Sequence, residues 1–156
     1  MAACQQTTEP VDIEAEETLI SEMLITFMDH KKNQEFDSLV PYLSEDVLGC
    51  GSDPGGFFNK EEIIEGWHAM EGENFPDMSL IGGRVVKVAP DGKSAIAVEQ
   101  MNLSLIPNIP CRTVYYLLKT EGKWVISFFS TSLVPMNKDL EAIIKAVTVE
   151  EEPVQE

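Results

Sequence analysis

Few side chains in this sequence are equipped for acid–base or nucleophilic chemistry. There are two histidines, His30 and His68. His68 follows Trp67 in a run of helical spacing, where an imidazole can act as a base near neutral pH; the alternative is a solvated histidine on a helix surface. His30 lies in Asp29-His30-Lys31-Lys32, a cationic run that suits the negative end of a helix dipole. Asp53 sits in Gly51-Ser52-Asp53-Pro54-Gly55-Gly56; it is a candidate base, although an aspartate in such a loop more often bonds its own backbone to hold a turn. Glu99 is the third catalytic candidate. In a strand it shares a face with Ala97 and Met101, while Gln100 shares the other with Val98 and Asn102. The same alternation puts Arg112, Val114, Tyr116 and Leu118 on one face, and Thr113, Tyr115 and Leu117 on the other. An Arg, a Tyr and a Gln or Glu on neighbouring strands can orient a carboxylate or carbonyl, which makes Arg112, Tyr116 and Gln100 the polar candidates for ligand binding. The rival is an ion pair, either at the surface or buried and sealing the interior.

Other chemistries lack a pattern. No His, Asp or Glu pair at ligand spacing converges with a third, so no metal is expected. No cofactor is expected, and neither a nucleophile elbow nor a triad pattern occurs. Cys4, Cys50 and Cys111 are an odd count at irregular spacing, which is no disulfide framework. Cys50 and Cys111 fall in apolar runs and read as small core residues. Ala2-Ala3-Cys4, followed by a polar segment, resembles the end of a bacterial lipoprotein signal without the charged and apolar run that precedes it. Two localisations follow: the cell envelope if Cys4 is an acylation site behind a trimmed signal, or the cytoplasm.

The elements that must position these residues follow from periodicity. Ile13, Ile20, Met23, Leu24, Phe27 and Met28 stripe one helix from about Glu14 to Lys32. A second, over 34–43, turns Phe36, Leu39 and Val40 inward, with Pro41 able to break it early. A short strand, 47–50, and the Gly-rich loop come next. Lys60–Met70 restarts a helix with Asn59 as N-cap and Ile63, Ile64 and Trp67 on one side. After Asp77 the pattern alternates in four runs, 78–88, 94–105, 111–119 and 124–134. Turns at 90–93 and 121–123 make two hairpins. A last short helix, 140–147, is expected to be capped by Asn137.

Composition sets the outer limits. At 156 residues the chain holds one domain, and 44% hydrophobic content supplies a core. Eleven Lys and Arg face 27 Asp and Glu, a net charge of −16. Nucleic acid is excluded as a partner because no basic stripe exists to neutralise phosphates. Nothing spans a membrane as a long apolar run. The divisions expected are a polar lead, 1–13, a folded domain, 14–135, a short helix, 136–148, and an acidic tail, 149–156, with 1–12 and 150–156 unpacked. The element order α-α-β-α-β-β-β-β is that of an α+β fold, helices packed on one face of a curved antiparallel sheet.

Three phrases carry a resemblance. They are Leu39-Val40-Pro41-Tyr42-Leu43-Ser44-Glu45-Asp46-Val47, the Gly51–Gly56 loop with Asn59-Lys60-Glu61-Glu62-Ile63, and Gly122-Lys123-Trp124-Val125-Ile126 running to Ser130-Thr131-Ser132. Together they resemble the SnoaL-like branch of the nuclear transport factor 2-like superfamily over about 14–135. The resemblance implies a cone: a sheet curled around helices, whose mouth admits a small ligand and whose outer face commonly pairs with a second copy. In the ketosteroid isomerase branch an aspartate acts as base and a tyrosine and protonated aspartate form the oxyanion site. Alignment places Phe27 at the tyrosine and Cys111 near the strand aspartate, and Ser130 where a histidine often stands, so that isomerase set is not supported. Phe27 and Trp67 are then expected to line the cone. The function expected is binding of a small apolar molecule or a partner; the rivals are a cofactor-independent isomerase, dehydratase or cyclase, and a dimerisation module whose cone is filled by its own side chains.

Overall fold

A computed structural model describes residues 10–73, 77–104, 106 and 109–147. Cys4 and both acidic ends, 1–9 and 148–156, lie outside them. Helix α1 spans Ile13–Lys32. The Asp12 carboxylate caps it by accepting the Ala15 N–H at 3.1 Å, Glu14 and Glu16 occupy the first turn, and His30, Lys31 and Lys32 the last. Ile20, Leu24 and Phe27 recur at helical spacing and are buried. Ahead of the helix, Val11 rests on Gly92, where an added Cβ would lie 2.7 Å from its Cγ1. The expectation that residues up to 12 are unpacked is corrected there.

The chain reverses at Gln34, held at a φ of 57°. Its side-chain amide accepts the Gly72 N–H at 2.8 Å and donates to the Glu73 carbonyl at 2.9 Å, tying the end of α1 to the far end of the next helix. The α-helix expected over 34–43 is a 3-10 segment, Phe36–Tyr42. Pro41 has no N–H to give an α-helical ladder, and only eight residues, 35–42, separate the reversal from the strand that follows. Strand β1, Leu43–Cys50, therefore begins earlier than the expected 47–50. A two-residue strand, β2 at Phe57–Phe58, pairs back antiparallel on Gly49 and Cys50. Helix α2, Lys60–His68, opens on a reciprocal cap: Asn59 accepts the Glu62 N–H, and Glu62 accepts the Asn59 N–H.

The rest is the expected meander of β3 (Met78–Val88), β4 (Ser94–Leu103), β5 (Cys111–Thr120) and β6 (Lys123–Leu133). Between β5 and β6, Glu121 and Gly122 both take positive φ, 52° and 80°, as a two-residue hairpin turn matched to strand twist requires. The six strands run in the order β2-β1-β6-β5-β4-β3 in a curved, unclosed sheet. One pair departs from the antiparallel pattern. β1 lies parallel to β6, because α2 and the meander intervene before the chain returns to β1's edge. The core fills the concave side: α1 contributes Ile20, Leu24 and Phe27, α2 contributes Ile63 and Trp67, and the sheet contributes Ala95, Ala97, Leu117 and Ile126 among others.

Helix α3, Leu140–Val147, buries no residue. Asn137 lies inside a 3-10 turn, Asn137–Asp139, that leads into α3, rather than at its N-cap. Among the described residues, no helix is long and apolar enough to cross a membrane.

Candidate functional site

The cone is not filled. Between the end of α1, α2 and the concave face of β4–β6 lies a cavity of about 250 Å³. Phe27, Trp67 and Phe129 supply aromatic walls, and Met28, Met70, Met78 and Met101 the flexible ones. A second hollow of about 220 Å³, behind Cys50, Phe58 and Ile63, shares the walls Trp67, Met70, Phe129 and Thr131. Phe129 reaches the inside because β6 bulges. Tyr116 pairs with Phe128 but Leu117 with Ile126, so Ser127 is extra and Phe129 comes to pair with Tyr115 on the inner face. The Phe129 ring then lies over Gly49, where an added Cβ would stand 2.7 Å from Cζ.

Polar groups within the cone fall into three sets. The first is a sealed triad. Glu99, fully buried, accepts from Arg84 Nη2 at 2.7 Å and Nε at 2.8 Å on one oxygen, and from the Tyr115 hydroxyl at 2.9 Å on the other. Arg84 Nη1 also donates to the Ser21 carbonyl of α1 at 2.9 Å. Burial, and then the neighbouring Glu99 carboxylate, push the Tyr115 phenol well above its usual range, so it stays protonated and donates. The second set is the Thr113 and Thr131 hydroxyls, bonded to each other at 3.1 Å, beside the Cys111 thiol. Burial raises the Cys111 pKa, which keeps it a thiol.

The third is Lys31. It lies in the last turn of α1, and its side chain runs along the cavity wall. Desolvation lowers its pKa, while the charge on Glu99 acts in the opposite sense. No hydrogen bond or ion pair engages its ammonium among the described residues, whereas Lys60, Lys87 and Lys119 pair with Glu45, Glu17 and Glu16. No fully buried side-chain nitrogen or oxygen among the described residues goes without a partner. The unpaired Lys31 nitrogen is therefore not fully buried.

The residues singled out in the sequence divide. Phe27 and Trp67 line the cone together, their rings edge to face with centroids 6.0 Å apart. Glu99 is within the fold but wholly committed to Arg84 and Tyr115. An Arg, a Tyr and a Glu do meet on neighbouring strands, yet they are Arg84, Tyr115 and Glu99. Arg112, Tyr116 and Gln100 are corrected as cone residues: strand alternation puts them on the outer face, where Arg112 donates to Gln100 at 3.1 Å. Ser130 also faces outward, opposite Val114. Asp53 is exposed in its loop, its carbonyl accepting the Gly56 N–H, outside both hollows. His68 lies outside both as well, half-exposed beside Asp37 and Glu71 with its ring against Phe36. His30 pairs with Glu35. Lys31, Arg84 and Tyr115 were missed. The apolar face shared by Thr113, Tyr115 and Leu117 was the available signal for Tyr115; Lys31 had none, sitting in a cationic helix end.

Among the described residues no group of three or more His, Cys, Asp or Glu gathers as a metal set would. A wider groove of about 580 Å³ lies between α3 and the segment around Ile109 and Pro110, but among the described residues its titratable groups are only Lys138 and Asp139, both at the surface.

Helices packed in the hollow of a bent sheet, around an apolar chamber, define the cone class of α+β domains. The SnoaL-like domain family matches residues 20–137, and the chain belongs to it. Among solved structures it is similar to a domain of unknown function with a cystatin-like fold from Nostoc punctiforme, at a TM-score of 0.71 and 12% identity over 88% of each chain. An NTF2-like protein of unknown function from Pseudomonas putida superposes at 0.66 and 16% identity, over 81% of this chain and 92% of that one. A further NTF2-like protein of unknown function, from Shewanella baltica, superposes at 0.59 and 18% identity, over 81% of this chain and 99% of that one. At these identities the likeness shows the fold alone. A comparison with curated proteins returns no match.

Proposed function

We propose that this domain is a binding module that holds a small, largely apolar molecule in its cone. The observation that carries the reading is the cavity of about 250 Å³, walled by aromatic and methionine side chains. Apolar concave sites with few polar groups are where proteins bind small molecules, and methionine walls adapt to shape. Acid–base turnover is the weaker reading, because Glu99 and Tyr115 already engage each other and Lys31 is left without a second free titratable group. Trp67 reports occupancy directly. Titration with octanol should change tryptophan fluorescence, and Trp67→Phe should remove the change while Trp124, the other tryptophan, stays silent. A Met101→Trp variant that folds but binds octanol as tightly as the parent would place the ligand elsewhere.

A second copy is the partner the outer face favours. Register lines up Val85, Val98 and Val114 in one row across the sheet, and Ile96, Tyr116 and Phe128 in the next. Val85 and Ile96 are at least half exposed. Contiguous apolar surface of this kind is uncommon on a soluble monomer. The reading is a homodimer through this face. Sedimentation should show two chains per particle, and Ile96→Glu should give one; a parent monomer at high micromolar concentration overturns it.

A further inference from the structure

We infer that the cone selects ligands whose apolar body ends in one negative charge, a carboxylate that pairs with the Lys31 ammonium. This rests on the cone being a binding chamber and adds the chemistry of what it takes. Glu99 offers nothing to a ligand: one oxygen is filled by Arg84 and the other by Tyr115. Arg84 in turn is spent on Glu99 and the Ser21 carbonyl. With that pair neutral, Lys31 is the one charge on the cavity wall that no described residue balances. The carbonyls at the end of α1 supply partial negative charge and help keep it protonated. Burial opposes that, and an incoming anion relieves the conflict, because a nearby opposite charge favours the charged form of the amine.

The rest of the wall suits the other end of such a molecule. The four methionines, Phe27 and Phe129 offer no donor; the Trp67 indole N–H, the Cys111 thiol and the Thr113–Thr131 hydroxyl pair are the further polar features on the wall. A volume of about 250 Å³ corresponds to roughly eight waters at about 30 Å³ each, the scale of a medium-length chain or a single substituted ring. The chain's net charge of −16 repels anions at long range, but physiological salt screens charges beyond about 8 Å in water. The contact inside the cone is screened far less. Selection therefore falls to Lys31 and not to the surface.

The test pairs each acid with the alcohol of equal length. Calorimetric titration of the full chain with hexanoate, octanoate and decanoate, and with hexanol, octanol and decanol, separates the charge from the apolar body. The expected result is that the best acid binds at least tenfold more tightly than its alcohol. Lys31→Met should erase that preference, read as the ratio of acid to alcohol affinity within the variant, Lys31→Arg should keep most of it, and Lys32→Met should leave it intact. Equal affinity for acid and alcohol in the parent, or a preference that survives Lys31→Met, overturns the inference while leaving the binding chamber standing. Failure of both series at millimolar concentration overturns the chamber itself.

Discussion

Replacing Arg84 with methionine takes the cation from a carboxylate that has no water to replace it. Glu99 is fully buried and the Arg84 side chain is 4% exposed. Removing one partner of such a pair costs about 3–5 kcal/mol, because the remaining charge stays in a poor solvent. At this chain length each kcal/mol moves the melting temperature by about 2–4 °C, so Arg84→Met should lower it by roughly 6–20 °C. Urea unfolding followed by circular dichroism gives the free energy, with an unchanged slope showing that the unfolded state is unaltered. Tyr115→Phe removes one hydrogen bond to the same carboxylate and should cost about 1.5–3 kcal/mol. The triple variant Arg84→Met, Glu99→Leu and Tyr115→Phe should recover most of the loss, since the buried ion pair and the hydroxyl bonded to it are replaced by apolar side chains at little or no net cost. The Glu99 charge already acts on Lys31, so the same series is repeated with Lys31→Met. If Arg84→Met costs under about 1 kcal/mol in that background, Glu99 is not the buried, fully committed charge described above. The same holds if the triple variant is no better than Arg84→Met alone.

Further outcomes follow from other contacts. Lys31 binds its proton less tightly folded than unfolded, so the unfolded chain holds the extra proton between the lowered value and 10.5, and stability rises with pH across that window. Lys31→Met should therefore stabilise the fold at about pH 6, and the gain should vanish near pH 11 in denaturant titrations. Glu16 is held below its usual pKa by hydrogen bonds from Lys119 at 2.6 Å and Trp124 at 2.7 Å. Its contribution is complete above about pH 4.5 and lost as pH falls through the lowered value. Glu16→Gln should cost about 1–2 kcal/mol at pH 7 and progressively less as pH falls through the lowered value. Gly49→Ala puts a methyl against the Phe129 ring and should cost about 1–3 kcal/mol. By driving that ring into the cone it should also weaken octanol binding, which the Trp67 titration reads.

Local spacing is a property of the chain, and it determined the elements: the stripe Ile20, Leu24 and Phe27, the alternation of β4 and β5, the Asn59 cap and both hairpin turns follow from it. It also set which residues share a strand face, grouping Glu99 with Ala97 and Met101 and Tyr115 with Thr113 and Leu117, but not which of the two faces turns inward. What the sequence left open is whatever depends on which distant segments meet. The parallel seat of β1 beside β6 needed the whole meander to return to one edge. The bulge at Ser127, which turns Phe129 inward, arises between two strands and breaks the alternation that spacing alone assumes. Arg84 finds Glu99 because β3 pairs with β4 in one register, and Lys31 reaches the cone because α1 ends where the sheet curls away. A lysine at a helix end reads as a solvated cation; only packing decides whether its ammonium points to water or into an apolar chamber, because desolvation comes from atoms far away in the chain.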